Sequence, residues 1–120
     1  MSESLEEKVK RYEKLINEMV NVSEKYLGSF SVRLLFERII WELSMEYKEM
    51  EMIHYGENGV VLEGIMDSLK LNTDIPIDDM FGALISKYVE ILAKLIGRES
   101  VEKIKKMIEI PLDLEGGNKE

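Results

Sequence analysis

With 120 residues, 45% of them hydrophobic and 33% charged, the chain has apolar material for one ordinary folded core, too little for two, and too much for wholesale disorder. The net charge of −8 and pI near 4.8 weigh against nucleic acid and against an anionic membrane surface as partners, because both recruit proteins through basic patches. The only basic clusters, Lys8, Lys10 and Arg11 and then Lys103, Lys105 and Lys106, sit beside carboxylates.

The absence of cysteine excludes disulfides, thiolate nucleophiles and thiolate metal ligands. No run nears the roughly 18 to 20 apolar residues of a membrane span, and the opening MSESLEEKVKR is too charged for a signal-peptide core, so a cytoplasmic protein is expected. The lack of glutamine and the wealth of Glu, Lys and Ile lean toward a thermophile-like composition, against which the eight methionines count.

Ser4 and Glu7 have the spacing of a capping box and Gly28 suits a helix C-terminus, so a first helix roughly 35 Å long is expected over Leu5–Leu27. Within it Leu5, Val9, Tyr12, Ile16, Met19, Ser23 and Tyr26 alternate at spacings of four and three, which is a heptad seam. A seam of that kind is made to meet another helix. Residues 1–27 are therefore read as a candidate coiled-coil element, with Leu5, Val9, Tyr12, Ile16, Met19 and Tyr26 as the interface of a homo-oligomer, most simply a dimer.

Ser29 or Ser31 can cap a second helix reaching about residue 47, whose apolar residues, among them Val32, Phe36, Ile39, Trp41 and Leu43, leave little polar face and suggest burial nearly all round. Arg33 with Glu37 and Arg38 with Glu42 stand four apart and can pair on the strip that meets water. Two β-prone stretches, 51–55 and 60–63, flank Gly56-Glu57-Asn58-Gly59, where Asn-Gly supplies the positive φ of a tight hairpin. Residues 64–69 allow one short helical turn.

Pro76 followed by Asp78 and Asp79 favours a helix start, and Ile77, Met80, Phe81, Leu84, Ile85, Tyr88, Ile91, Leu92, Leu95 and Ile96 then recur at the helical period up to Gly97. A last helix over 99–108 carries Val101, Ile104, Met107 and Ile108 until Pro111 stops it. The expected fold is mostly α: one domain over 1–110, a four-helix assembly with a long N-terminal heptad helix and a hairpin between helices two and three, followed by a mobile tail over 111–120.

Chemistry-bearing groups are few. His54 is the only histidine, and one histidine without cysteine is a poor metal set. Nucleotide pyrophosphatases of the MazG type hold Mg²⁺ with Glu-x-x-Glu on one helix facing Glu-x-x-Asp on another; Glu46 and Glu49 fit the first half, whereas Glu63 and Asp67 are four apart and miss the second. Glu99 and Glu102 repeat the spacing as acids on a solvated face do. Asp74, Asp78 and Asp79 lack the central Gly and terminal Glu of an EF-hand and read as helix-capping acids. Phe30, Phe36, Trp41 and Phe81 read as core, and Met45, Met50, Met52, Met66 and Met80 could line an adaptable pocket.

The stretches YLGSFSVRLLFERIIWELSMEY, HYGENGVVLEGI and YVEILAKLIGRESVEKI together resemble a small helical module of archaeal signalling proteins, found near KaiC-like ATPases and sensor histidine kinases. The resemblance spans residues 26–108 and leaves helix one outside it. It implies a regulatory or adaptor role with a signalling ATPase or kinase as partner, and it carries over no functional residue. The expected function is a non-catalytic, self-associating protein-interaction module without cofactor. Its alternatives are a Mg-dependent nucleotide pyrophosphatase using Glu46 and Glu49, and a binder of a hydrophobic small molecule.

Overall fold

A computed structural model describes residues 3–108. The chain runs through α1 (Leu5–Leu27), α2 (Ser29–Leu43), a 3₁₀ helix (Lys48–Met52), β1 (His54–Gly56), β2 (Gly59–Val61), α3 (Glu63–Leu71), α4 (Ile77–Ile96) and α5 (Arg98–Ile108). The architecture is mostly α with one antiparallel hairpin between the second and third helices, and the described residues form five α-helices in place of the expected four. The expected stop at Pro111 and the tail over 111–120 lie outside the described residues.

The ends of α1 follow from its sequence. The Glu7 amide donates to Ser4 Oγ and the Ser4 amide donates to Glu7 Oε1, each at 3.1 Å, which closes the capping box. At the other end Gly28 adopts φ +84° and ψ 156°, and Gly97 repeats that corner between α4 and α5 with φ +94° and ψ 149°. This region of backbone space is open essentially only to glycine. Each corner turns the chain within one residue, so α2 and α5 fold straight back onto the helices before them.

The resulting bundle is built around α1, which touches α2, α3, α4, α5 and β2. Val9, Tyr12, Ile16, Met19, Val20 and Ser23 are buried there. The heptad seam thus finds its partners inside the same molecule. Reading Val9, Tyr12, Ile16 and Met19 as an intermolecular interface is corrected accordingly, because the chain's own elements already cover these side chains. Only the seam's two ends stay open, with Leu5 37% and Tyr26 44% exposed.

One polar tie locks α1 to the start of α4. The Tyr12 ring stacks on Phe81 at 4.9 Å, its hydroxyl donates to Asp78 Oδ1 at 2.7 Å, and Lys8 Nζ donates to Asp78 Oδ2 at 2.8 Å. The Lys8 ammonium first and the Tyr12 hydroxyl second hold the Asp78 carboxyl below its ordinary value. A depressed folded pKa stabilises the fold above the unfolded value, about 3.9, and that contribution disappears as pH falls through the lower folded value. Asp78→Asn is accordingly expected to lower the melting temperature at neutral pH, with a deficit that narrows as pH falls below the ordinary carboxylate range. An equal deficit at neutral and at acidic pH in thermal melts would contradict the assignment.

Three local expectations are corrected. The second helix ends at Leu43 and buries a single face, Val32, Phe36, Ile39 and Leu43, so it is not buried all round. Residues 51–53 are not strand. Met50 and Ile53 go into the core three residues apart, a spacing served by the 3₁₀ turn that runs through Met52. The hairpin is confined to His54↔Val61, Tyr55↔Val60 and Gly56↔Gly59 around the two-residue turn at Glu57 and Asn58. Glu63 opens α3 and does not end a strand, because Leu62, Ile65 and Leu69 bury a helical face at spacings of three and four.

Candidate interaction surface

The hairpin is too short to stand alone and is held by side chains of α1. With Gly56 and Gly59 closing the turn, Tyr55 and Val60 direct their backbone groups to the outer edges of the ribbon. Asn17 completes the Val60 edge as a third strand would. Its Nδ2 donates to the Val60 carbonyl at 2.9 Å, and its Oδ1 accepts from the Val60 amide at 2.8 Å. Glu13 Oε2 accepts from the Leu62 amide at 2.9 Å. The approach is close enough that a Cβ on Gly59, itself at φ +105°, would stand 2.5 Å from Asn17 Oδ1.

The opposite edge faces α2. Arg33 Nη1 donates to the Tyr55 carbonyl at 2.8 Å, its guanidinium lies 4.7 Å over the Tyr55 ring, and that ring meets Phe36 edge-on at 5.3 Å. The Tyr55 hydroxyl donates to Glu24 Oε2 at 2.9 Å; burial first, and the Glu24 carboxylate second, raise its pKa above the ordinary tyrosine value. β1 is thereby fixed beside α2, leaving an open cleft of about 350 Å³ lined by Ile40, Trp41, Ile53 and His54, with the carboxylates Glu37 and Glu51 at its walls.

Above this cleft runs the most conspicuous surface of the molecule. Along the solvent side of α2 and the turn after it, Phe30 is 72% exposed, Leu34 51%, Trp41 63% and Met45 70%. At 100° per residue these four fall within about 60° of one another on the side opposite Val32, Phe36 and Ile39. Including Tyr26, roughly 600 Å² of large apolar side chain faces water, at the upper end for the largest patch on a typical monomer. Ion pairs border it, with Arg33 3.9 Å from Glu37 on one flank, and on the other Glu42 3.2 Å from both Arg38 and Lys87.

This surface is only partly legible in the sequence. Its residues are all visible there, but their apolar character assigns Phe30 and Trp41 to the core, and the structure corrects both. The overlooked signal is the four-seven-four spacing of Phe30, Leu34, Trp41 and Met45, a second apolar stripe across the helix from the core-facing one. Asn17 is a further residue that the sequence reading misses, one that holds the hairpin in place beside this surface. An asparagine in mid-helix, beside the buried Ile16 and one turn below Glu13, gives up helix propensity and so hints at a specific bond.

The other candidate residues do not converge. Glu46 lies in the turn after α2 and Glu49 in the 3₁₀ helix, so the pair is not presented on one α-helix as the Glu-x-x-Glu spacing expects. Glu63 and Asp67 do share α3, where Asp67 faces Lys70 at 3.8 Å. Among the described residues, no group of three His, Asp or Glu side chains is placed to hold a metal ion. Glu102 pairs with Lys105 at 3.0 Å. Met50 and Met80 are fully buried whereas Met45 is exposed, so the five methionines do not line one pocket. Among the described residues, no helix is long and apolar enough to cross a membrane. No family model, no curated protein and no solved structure matches the chain.

Proposed function

We propose that the chain is a non-catalytic protein-interaction module that self-associates through the outer face of α2. One observation carries this reading: the largest aromatic side chain of the protein, Trp41, stands mostly in water within a continuous apolar stripe while the core beneath is complete. Exposed aromatics are costly to solubility and are the residues on which interfaces concentrate their energy. The expectation of self-association is kept, and its location moves from α1 to α2.

Leu34→Ser with Trp41→Ser should leave the fold intact, since neither side chain fills the core, and should shift the melting temperature by no more than a few degrees. In sedimentation velocity at micromolar concentration, wild type is expected as a dimer and the double variant as a monomer. A wild-type protein that stays monomeric to near-millimolar concentration would contradict the proposal.

A further inference from the structure

From the placement of the exposed residues we infer how two copies meet: their α2 helices pack antiparallel, about a twofold axis passing between Glu37 and Arg38. This rests on the self-association proposed above and gives it a geometry.

The stripe is a palindrome in position. Phe30 and Met45 lie equally far from the point midway between residues 37 and 38, and so do Leu34 and Trp41. An antiparallel second copy centred there sets Phe30 beside Met45 of the second copy and Leu34 beside Trp41 of the second copy, twice each. The large indole then meets the smaller leucine in both halves. A parallel pair would instead oppose Trp41 to Trp41 and Leu34 to Leu34, one contact overfull and the other sparse. Isologous contacts of the antiparallel kind close on themselves, so assembly stops at two.

Net charge favours this face as the place of contact. The chain carries −8, so two copies repel one another over most approaches. The charged residues of α2 are Arg33, Glu37, Arg38 and Glu42, which sum to zero. Helical geometry puts Arg33 and Glu37 on one flank of the stripe and Arg38 and Glu42 on the other, and a twofold perpendicular to both helices keeps each flank facing its own copy. The twofold brings Glu37 beside Glu37 of the second copy on one flank and Arg38 beside Arg38 of the second copy on the other, and each of these like charges already carries an opposite charge on its own helix, Arg33 at 3.9 Å from Glu37 and Glu42 at 3.2 Å from Arg38. Roughly 600 Å² from each copy approaches the ~800 Å² per partner of a standard interface, before the flanking side chains are counted.

Because the chain has no cysteine, single cysteines report the geometry directly. In the antiparallel pair residue 38 lies next to its own symmetry mate, and residue 30 lies about 20 Å along the axis from its mate. Under mild oxidation R38C is expected to form a covalent homodimer; F30C alone is not, and an F30C and M45C mixture is expected to give the mixed dimer. An F30C homodimer together with no R38C product would show a parallel pair and overturn the inference while leaving self-association standing. A dimer of wild-type mass that none of the three preparations traps would place the contact elsewhere and overturn it too. A wild type that is monomeric by sedimentation removes both the inference and the proposed function.

Discussion

Ile16→Asp is expected to unfold the domain, whereas a change confined to an interface would merely dissociate the dimer. Ile16 is wholly buried on the seam of α1, between the helices that α1 organises. The substitution removes an apolar side chain from a packed site and leaves a carboxyl group there without a partner, together about 4 kcal/mol or more. Against the 5–15 kcal/mol that ordinarily holds a domain together, that is enough to leave much of the population unfolded. Circular dichroism should show a lost or strongly lowered cooperative melt. Leu5→Asp at the exposed end of the same seam serves as the control and should cost under about 1 kcal/mol. Equal tolerance of both changes, with only a loss of mass, would mean that the seam is an intermolecular coiled coil after all.

Asn17→Ala is expected to cost about 2–4 kcal/mol, an unusually large effect for a polar residue on a helix flank. The loss is that of three side-chain hydrogen bonds, one to the Glu13 carbonyl and two that are, among the described residues, the partners of the Val60 amide and carbonyl, both carried by a residue that is 2% exposed. Among the described residues no neighbouring strand can take over that edge, because the sheet has two strands there and β1 already occupies the other side. Asn17→Asp is the informative companion. It keeps the acceptor for the Val60 amide, loses the donor to the carbonyl and sets a carboxylate against that oxygen, so it should destabilise as much as alanine or more. Urea melts give the free energies, and fast exchange of the Val60 amide in both variants would localise the damage. A cost below about 0.5 kcal/mol for Asn17→Ala would show that water replaces the side chain without penalty.

The elements with one strong periodicity are readable from the sequence alone. α1 and α4 begin and end where the Ser4 capping box, Pro76, Gly28 and Gly97 place them. Asn58-Gly59 locates the hairpin correctly but does not set its length, because Met50 and Ile53 satisfy a strand pattern and a 3₁₀ pattern about equally and the core decides between them. α3 reads as no more than a short turn since nine residues with Gly64 near the start give a weak signal, and only the burial of Leu62, Ile65 and Leu69 shows its amphipathic face.

The larger difference concerns the two apolar faces. α1 carries a tidy heptad, α2 an apolar surface nearly all round, and periodicity alone assigns the first to a partner and the second to the core. The structure reverses the roles because the single-residue corners at Gly28 and Gly97 fold α2 back beside α1 and α5 back beside α4, and the helices of this one chain then close over the α1 seam. With α1 in the middle, α2 becomes an outer helix, and half of its apolar girth faces water.

The emission of Trp41, the only tryptophan in the chain, reports on that face and on nothing else. It should be measured across a dilution series of the wild-type protein, with mass followed by light scattering on the same samples. Copies that meet through the outer face of α2 predict blue-shifted emission in the dimer, moving to the red on dilution in step with the fall to monomer mass. Water-exposed emission at every concentration, or a change of mass that leaves the emission unmoved, would contradict it.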